Sequence, residues 1–477
     1  MKPQTKTRLL HSTAIVLVTT FITALGALNV CAQDAHYWDN QYGTKAELLG
    51  GLVVGAPTDL SSTFYNPGWL ALQEKSSVLL TTKAAEIYRF EFKNSSGESL
   101  DPSNTVIAPS PGYLAGRFSL SNDLGWQWAY TFLQKVDFEY ATSQISDHQN
   151  PEALPPAGTK WSSRESFREV ELAEDWYGIS LSRKLADHLA IGFSPYLVYR
   201  SHDSRTQATI QTLNALDDYA GANLVDDYDY WHARFLVKMG LGVEWEKWSA
   251  GLTVTTPSLG LSGEGAVYVN TSLSGDYDAS QPGVDAPFLE TSHQEGISAK
   301  WKSPLSIAGG AAVNLGPTRI HLTAEWFNSI SRYSVLTPEP FAVQSIPGQT
   351  RQIDLDHAAD SVFNIGLGVN HDLTPSLSLF SSYRTDFSTI PDDMENQLNI
   401  AVWNLNHITG GAAFQLMGIE LTTGIQFSWG DNDASRTFSF DVTDAGDLAG
   451  EVQDNEVSYR RLKVLLGFNL PFVIPEG

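Results

Sequence analysis

One cysteine, four methionines and only 30 basic residues against 54 acidic ones are what this 477-residue chain is short of. Cys31 stands alone, so no intrachain disulfide can form in any compartment. The formal charge of −24 excludes nucleic acid as a partner, because phosphate binding needs clustered Lys and Arg. Beyond the first 32 residues no uninterrupted apolar run of about 18 residues occurs, which excludes a membrane-spanning helix. The 11 histidines are scattered without a His-x-x-x-His pair, and no Gly-x-Ser-x-Gly is present. No cofactor and no metal centre is therefore expected. An enzyme would have to assemble a nucleophile and base from distant positions, which makes it the least favoured reading.

What is present begins with a leader. Lys2, Lys6 and Arg8 precede a mostly apolar stretch from Ala14 to Leu28, and Val30-Cys31-Ala32 supplies a cleavage site before Gln33. Residues 1–32 are read as a signal peptide. Its removal takes Cys31 with it and leaves 27 basic against 54 acidic residues. The competing reading makes Cys31 a lipidated first residue, against which stands the poor fit of Val30 before it.

From residue 77 onward the chain has a period of two. Trp231, Ala233, Phe235, Val237, Met239, Leu241, Val243 and Trp245 alternate with His232, Arg234, Lys238, Gly240, Gly242 and Glu244, Leu236 being the exception. Ile419 to Trp429 and Leu462 to Leu470 repeat the pattern. Trp126, Trp128, Tyr130 and Phe132 do so too, and after a lapse at Gln134 the apolar set is expected to resume with Val136, Phe138 and Tyr140. Trp231 with Trp245, and Trp126 with Tyr140, bracket these faces as aromatic girdles would.

Connections sort by length. Short ones fall at Ser121-Asn122-Asp123, 184–187, Glu246-Lys247, Gly316-Pro317, 372–375 and Met417-Gly418; long ones lie near 93–111, 141–163, 202–227, 268–290, 336–350, 388–403 and 431–455. Short turns on one rim and long loops on the other mark an outer-membrane barrel. The fold class predicted is all-β, a transmembrane antiparallel β-barrel of about fourteen strands over 77–477. The acids crowded into 202–229 and 431–456 read as solvated loop charge, since no run has a calcium-loop spacing.

Residues 33–76 break the rhythm. Leu49 to Gly55 is apolar and glycine-rich, and Asn66-Pro67-Gly68 is a turn in which Pro67 presets φ and Gly68 is expected to take the positive φ of a type II turn. Apolar Phe64, Tyr65, Trp69 and Leu70 flank it. Tethered to the first strand, this segment is expected to plug the lumen as an N-terminal hatch.

Thr58-Asp59 leading into Phe64-Tyr65-Asn66-Pro67-Gly68-Trp69-Leu70 resembles the hatch of the FadL family of outer-membrane hydrophobic-compound transporters. Ala250-Gly251-Leu252-Thr253 through Thr256-Pro257 is similar to that family's Gly-hydrophobic-Thr strand before a proline. The resemblance implies a fourteen-stranded plugged barrel and passive uptake of long-chain fatty acids or other hydrophobic small molecules. It also implies a route to the bilayer through a kinked third strand, yet 126–140 holds no glycine or proline. Leu52, Val54, Phe64 and Trp69 would line the greasy site, with Arg234, Lys238, Arg319 or Arg461 meeting a carboxylate unless wall acids such as Glu244, Glu325 and Glu420 claim them. Expected partners are outer-membrane lipid, the hydrophobic ligand and the barrel assembly machinery. A general diffusion porin and a structural barrel are the rival readings.

Overall fold

The computed structural model describes residues 35–73, 77–93, 110–118, 125–148, 159–214, 219–275, 288–353, 355–391, 403–442 and 448–471. The expected leader with Cys31 and the turn at Ser121-Asn122-Asp123 lie outside them. The strands are β1 Ser77–Lys93, β2 Ser110–Phe118, β3 Trp126–His148, β4 Thr159–Ala186, β5 Leu189–Asn214, β6 Tyr219–Glu244 and β7 Trp248–Thr255. Then come β8 Leu259–Gly275, β9 Phe288–Ser298, β10 Ser306–Leu315, β11 Thr318–Phe327, β12 Ile330–Leu336, β13 Phe341–Ala342 and β14 Thr350–Arg351. The last are β15 Leu355–Ala359, β16 Val362–Thr374, β17 Leu377–Asp386, β18 Leu405–Leu416, β19 Ile419–Val442 and β20 Leu448–Pro471.

Antiparallel pairing runs β1 through β7, then β10, β11, β16, β17, β18, β19 and β20, which returns to β1, closing a ring of fourteen strands. The outer half of β6 pairs instead with β8, and β9 follows β8, so the wall continues outward on that side. The β12–β15 hairpin leaves the ring; its Val335, Leu336 and Leu355 pack on Tyr228 and Tyr230 of β6 and Val267 and Val269 of β8.

Burial is inverted relative to a water-soluble protein. Met239, Leu252, Leu322, Leu367, Ile408, Ile425 and Leu462 are exposed on the outer surface, whereas Arg200, Arg234, Arg384 and Arg461 are fully buried inside. An apolar band facing outward and a polar interior suit a barrel bathed in lipid. The parity read over β6 holds: Phe235, Met239 and Leu241 face out, His232, Arg234, Leu236 and Lys238 face in.

Two expectations about the barrel wall are corrected. First, the apolar set of β3 does not resume after Gln134. A β-bulge between Gln134 and Val136 in the pairing with β4 shifts the parity, so Phe138 is buried and Glu139 exposed. The lapse was the bulge itself; the Tyr140 side chain lies outside the described residues. Second, much of the expected long loops is strand: β4, β5 and β6 run 28, 26 and 26 residues, well beyond the roughly 9–11 needed to span a bilayer. Outside lipid the ladder no longer needs an apolar face, so pairing continues among polar residues such as Arg205 and Asp227, 3.2 Å apart. The turn at Met417-Gly418 has positive φ at both residues, 52° and 83°, as a two-residue hairpin of the I′ kind requires.

Residues 35–73 fill the ring. They form α1 Thr44–Leu48, α2 Ser62–Tyr65 and a 3₁₀ helix Pro67–Leu72. No side chain caps α1 from its own N-cap, Gly43; Asp59 does so from fifteen residues away, accepting from Thr44 Oγ1, Lys45 N and Ala46 N at 3.1, 2.8 and 3.2 Å. Gly68 is not in a type II turn. Pro67 opens a helix at its N1 position, and Asn66 Oδ1 accepts from Gly68 N at 3.1 Å as its cap. Glycine is needed there for proximity: a Cβ would stand 3.0 Å from the backbone of Ala190, Gly240 and Gly242 on the wall.

The same close approach recurs at Gly251, where a Cβ would overlap the Val54 carbonyl. Gly251→Val should therefore push the hatch off its seat, with a penalty of about 1–3 kcal/mol typical of overpacking. Single-channel conductance in planar bilayers should rise several-fold while the heat-dependent gel shift of the folded barrel persists. Unchanged conductance would show that the glycine wall does not seat the hatch.

Candidate functional site

The hatch meets the wall in two different ways. Along β4 to β7 the contacts are hydroxyls and bare backbone. Ser182 Oγ donates to Gly68 O at 3.0 Å, Ser194 Oγ and Tyr196 OH donate to Thr63 O at 2.8 and 2.9 Å, and Thr253 Oγ1 donates to Tyr65 O at 2.7 Å. Asn66 Nδ2 ties two elements together, donating to Val54 O at 3.0 Å and to Leu241 O of β6 at 2.9 Å. Along β1 and β17 to β20 the contacts are ionic. Arg461 grips Asp39 and lies 3.3 Å from Glu86, Lys463 lies 3.2 Å from Glu86, and Lys45 lies 2.6 Å from Glu420. Arg384 donates to the carbonyls of Trp38 and Asp39 at 2.9 and 3.2 Å.

Between hatch and wall lies a cavity of about 110 Å³. Its apolar sides come from Val54, Phe64, Trp176, Leu236, Trp301 and Ala308, and its polar groups include Lys135, Arg234, Lys238 and Glu325. Inward parity at Arg234, Leu236 and Lys238 delivers three consecutive lining positions from β6. Trp301 reaches in because the chain between β9 and β10 leaves the ladder, and Arg200 stacks over its ring at 3.8 Å.

The four cations singled out from the sequence part company here. Arg461 belongs to Asp39 and Glu86. Arg319 lies away from the cavity, donating to Ser249 Oγ at 2.9 Å, with Glu244 3.9 Å off. Arg234 shares Glu174 with Arg200, at 2.8 and 3.1 Å, and keeps one buried nitrogen, Nη1, without a partner. Lys238 is 7% exposed and has no ion pair among the described residues; its ammonium sits 4.2 Å above the Phe64 ring. Of the apolar candidates, Val54 and Phe64 line the cavity. Leu52 packs instead with Trp38, Phe327 and Val362. Trp69, fully buried, is a pin whose indole nitrogen donates to Val54 O at 2.8 Å.

Sequence reasoning missed Lys135, Trp176 and Trp301. Lys135 stands at the β3 bulge, and the lapse at Gln134 was its signal. Among the described residues the β2–β3 ladder ends at Leu133 opposite Tyr113, and hatch side chains meet the β3 backbone just beyond. Asn40 Nδ2 donates to Lys135 O at 3.0 Å, Tyr42 OH to Gln134 O at 3.3 Å, and Lys135 Nζ to Tyr37 O at 2.7 Å. The third strand is thus bent by a bulge without glycine or proline.

A separate buried group, Asp39, Asp386 and His407, brings potential metal-ligating atoms within 4.8 Å of one another.

No family sequence model matches this chain, and no curated protein matches it by sequence. Solved structures do. The P. putida toluene transporter TodX is 13% identical over 91% of this chain and 99% of its own, with a TM-score of 0.56. A Pseudomonas aeruginosa FadL homologue is 12% identical over 92% and 100%, with a TM-score of 0.55. The Ralstonia pickettii toluene transporter TbuX is 11% identical over 91% and 98%, with a TM-score of 0.51. These neighbours are FadL-family hydrophobic-compound channels, and the chain has their barrel fold.

Above the cavity, His357 of β15 lies 4.3 Å from the Trp301 ring. Burial, with the Arg200 charge adding to it, lowers its pKa to about 3. The folded protein then binds no proton at His357 where an unfolded hairpin would, so stability is full above about pH 6.5 and falls as pH drops from there toward 3. Protection of the amides in 330–359, taken relative to the intrinsic exchange rate at each pH, should fall over that window, and His357→Phe should flatten the dependence. A flat profile in the parent would overturn this account of the hairpin.

Proposed function

We propose that this protein is an outer-membrane carrier for hydrophobic small molecules bearing an acidic head group, long-chain fatty acids among them, moving them passively through a plugged barrel. One observation carries the reading: a buried lysine, Lys238, faces a cavity walled mainly by aromatic and aliphatic side chains and makes no ion pair among the described residues, the Glu325 carboxylate lining the same cavity beyond ion-pair distance. A buried charge without a partner is unfavourable, and a ligand carboxylate would satisfy it through a charge-assisted hydrogen bond. Phe64, Trp176 and Trp301 would take the apolar body. A cavity of about 110 Å³ encloses a head group and a short apolar segment, since a dry cavity of about 150 Å³ holds one benzene. A longer chain then needs the hatch or the β12–β15 hairpin to shift.

The bulge at Lys135 supports a sideways route, because among the described residues the wall edge there is held by hatch side chains and by no strand on the β2 side. Moving Asn40 and Tyr42 would uncover it without breaking the ladder elsewhere. A hatch packed against β4 to β7 argues against the porin reading. The two toluene transporters among the structural neighbours favour a second reading, a neutral hydrocarbon as cargo.

The two readings separate at Lys238. Lys238→Met should weaken binding of a fatty acid to the detergent-purified protein by roughly 10–100-fold, the worth of a hydrogen bond to a charged group, and leave toluene binding within about two-fold. Equal effects on both ligands would favour the neutral-hydrocarbon reading. Undiminished fatty-acid uptake in cells lacking the protein would remove the transport assignment.

A further inference from the structure

We infer that the cavity selects cargo with two acidic groups, one at each end of an apolar segment: an α,ω-dicarboxylic acid rather than a simple fatty acid. This rests on the acidic-head-group reading above and adds a second contact to it. The charges that meet at the cavity fall into two groups. Toward the outer end Arg200 and Arg234 share one carboxylate, Glu174, at 3.1 and 2.8 Å, and all three side chains are buried. Toward the hatch Lys135 and Lys238 lie 5.7 and 4.2 Å from the Phe64 ring centre. Glu325 is the carboxylate they face. Lys302 also lines the cavity, but it is exposed and lies over the Tyr333 ring. Each buried group thus sets two cations against one carboxylate, and a buried charge left uncompensated is costly.

The donors left open lie one in each group. Glu325 is engaged elsewhere, its oxygens accepting from Trp38 Nε1 and Ser306 Oγ, both at 2.7 Å. Lys135 donates to Tyr37 O at 2.7 Å, which leaves Lys238 for the first acid. Arg234 uses Nη2 on Glu174 and donates from Nε to Ser303 Oγ at 2.9 Å, while its Nη1 is buried without a partner among the described residues. Arg234 and Lys238 are four residues apart on β6, about 13 Å along a strand. Their side chains stand side by side, with Leu236 between them lining the same cavity. One carboxylate on Lys238 therefore leaves Arg234 Nη1 unmet. A second, held there by charge-assisted hydrogen bonds, completes the outer group as the first completes the inner one. Leu236, Phe64 and Trp176 face the methylenes between, and a volume of about 110 Å³ keeps that segment short.

The test measures binding to the detergent-purified full-length protein by calorimetry, using straight-chain diacids from butanedioic to dodecanedioic acid beside monoacids of equal carbon number. One diacid should bind roughly ten-fold or more tighter than its monoacid, the worth of a hydrogen bond to a charged group. Affinity should fall on either side of that length. Arg234→Gln should abolish the advantage and leave monoacid affinity within about two-fold, with the folded-barrel gel shift as the control. Because Arg234 belongs to a buried charge group, the chain-length series on the parent decides the matter by itself should the variant not fold. Diacids no tighter than monoacids at every length, or Arg234→Gln weakening both alike, would overturn the second contact and leave the head-group reading standing. Binding of neither class would remove both.

Discussion

Closure of β1 against β20 is the constraint on which everything else rests. The pairing runs from Ser77 opposite Pro471 to Lys93 opposite Glu456, so the last strand satisfies the free edge of the first. In hydrocarbon an unpaired edge has no water to turn to, and each unsatisfied backbone group costs several kcal/mol. A closed ring also fixes its own circumference, and fourteen strands enclose more space than wall side chains can fill. The hatch is the answer to that surplus volume. Closure even sets hatch chemistry, since it places Glu86 of β1 directly opposite Lys463 of β20, next to Asp39 and Asn40.

The two sides of the hatch differ in what they specify. Against β4 to β7 the approach is so close that glycines face it, and wall hydroxyls meet its carbonyls. Such contacts are short-ranged and tolerate no slip, so they fix position. Against β1 and β17 to β20 the contacts are buried ion pairs, whose attraction is offset by desolvation. Those pairs contribute less to holding the segment down than to deciding which residue lies beside which strand.

Strand count and the inward set of β6 were legible because a period of two in a lipid-facing wall is written into every residue. The turn at Asn66-Pro67-Gly68 was legible in kind but not in detail. Its residues promise a sharp change of direction, yet the wall backbone beside Gly68 decides that proximity, not positive φ, is the reason for glycine. Parity beyond Gln134 failed because the lapse there was taken for a single exception in an unchanged phase, whereas a bulge shifts the phase of every residue after it. The extent of the outer strands failed for another reason: once outside lipid a ladder needs no apolar face, and polar strand resembles loop. Which cation faces the cavity was beyond reach, because Arg234, Lys238, Arg319 and Arg461 all sit at inward positions. Only their partners, far away in the chain, distinguish them.

The cavity combines two demands that oppose one another. A carrier that works without an energy source must hold its cargo firmly enough to draw it from solution and loosely enough to release it. An ion pair already completed within the protein, such as Arg461 with Asp39, offers an acid little. A lysine paired with nothing in a dry site would hold an acid too tightly to let go. Lys238 lies between these limits, because the Phe64 face gives its ammonium partial compensation, of the order of 0.5–2 kcal/mol for a cation over a ring. That ring belongs to the hatch, so on the proposed reading any displacement of the hatch would change the affinity of the lysine for an acidic ligand. Binding strength and plug position would then be coupled through one contact.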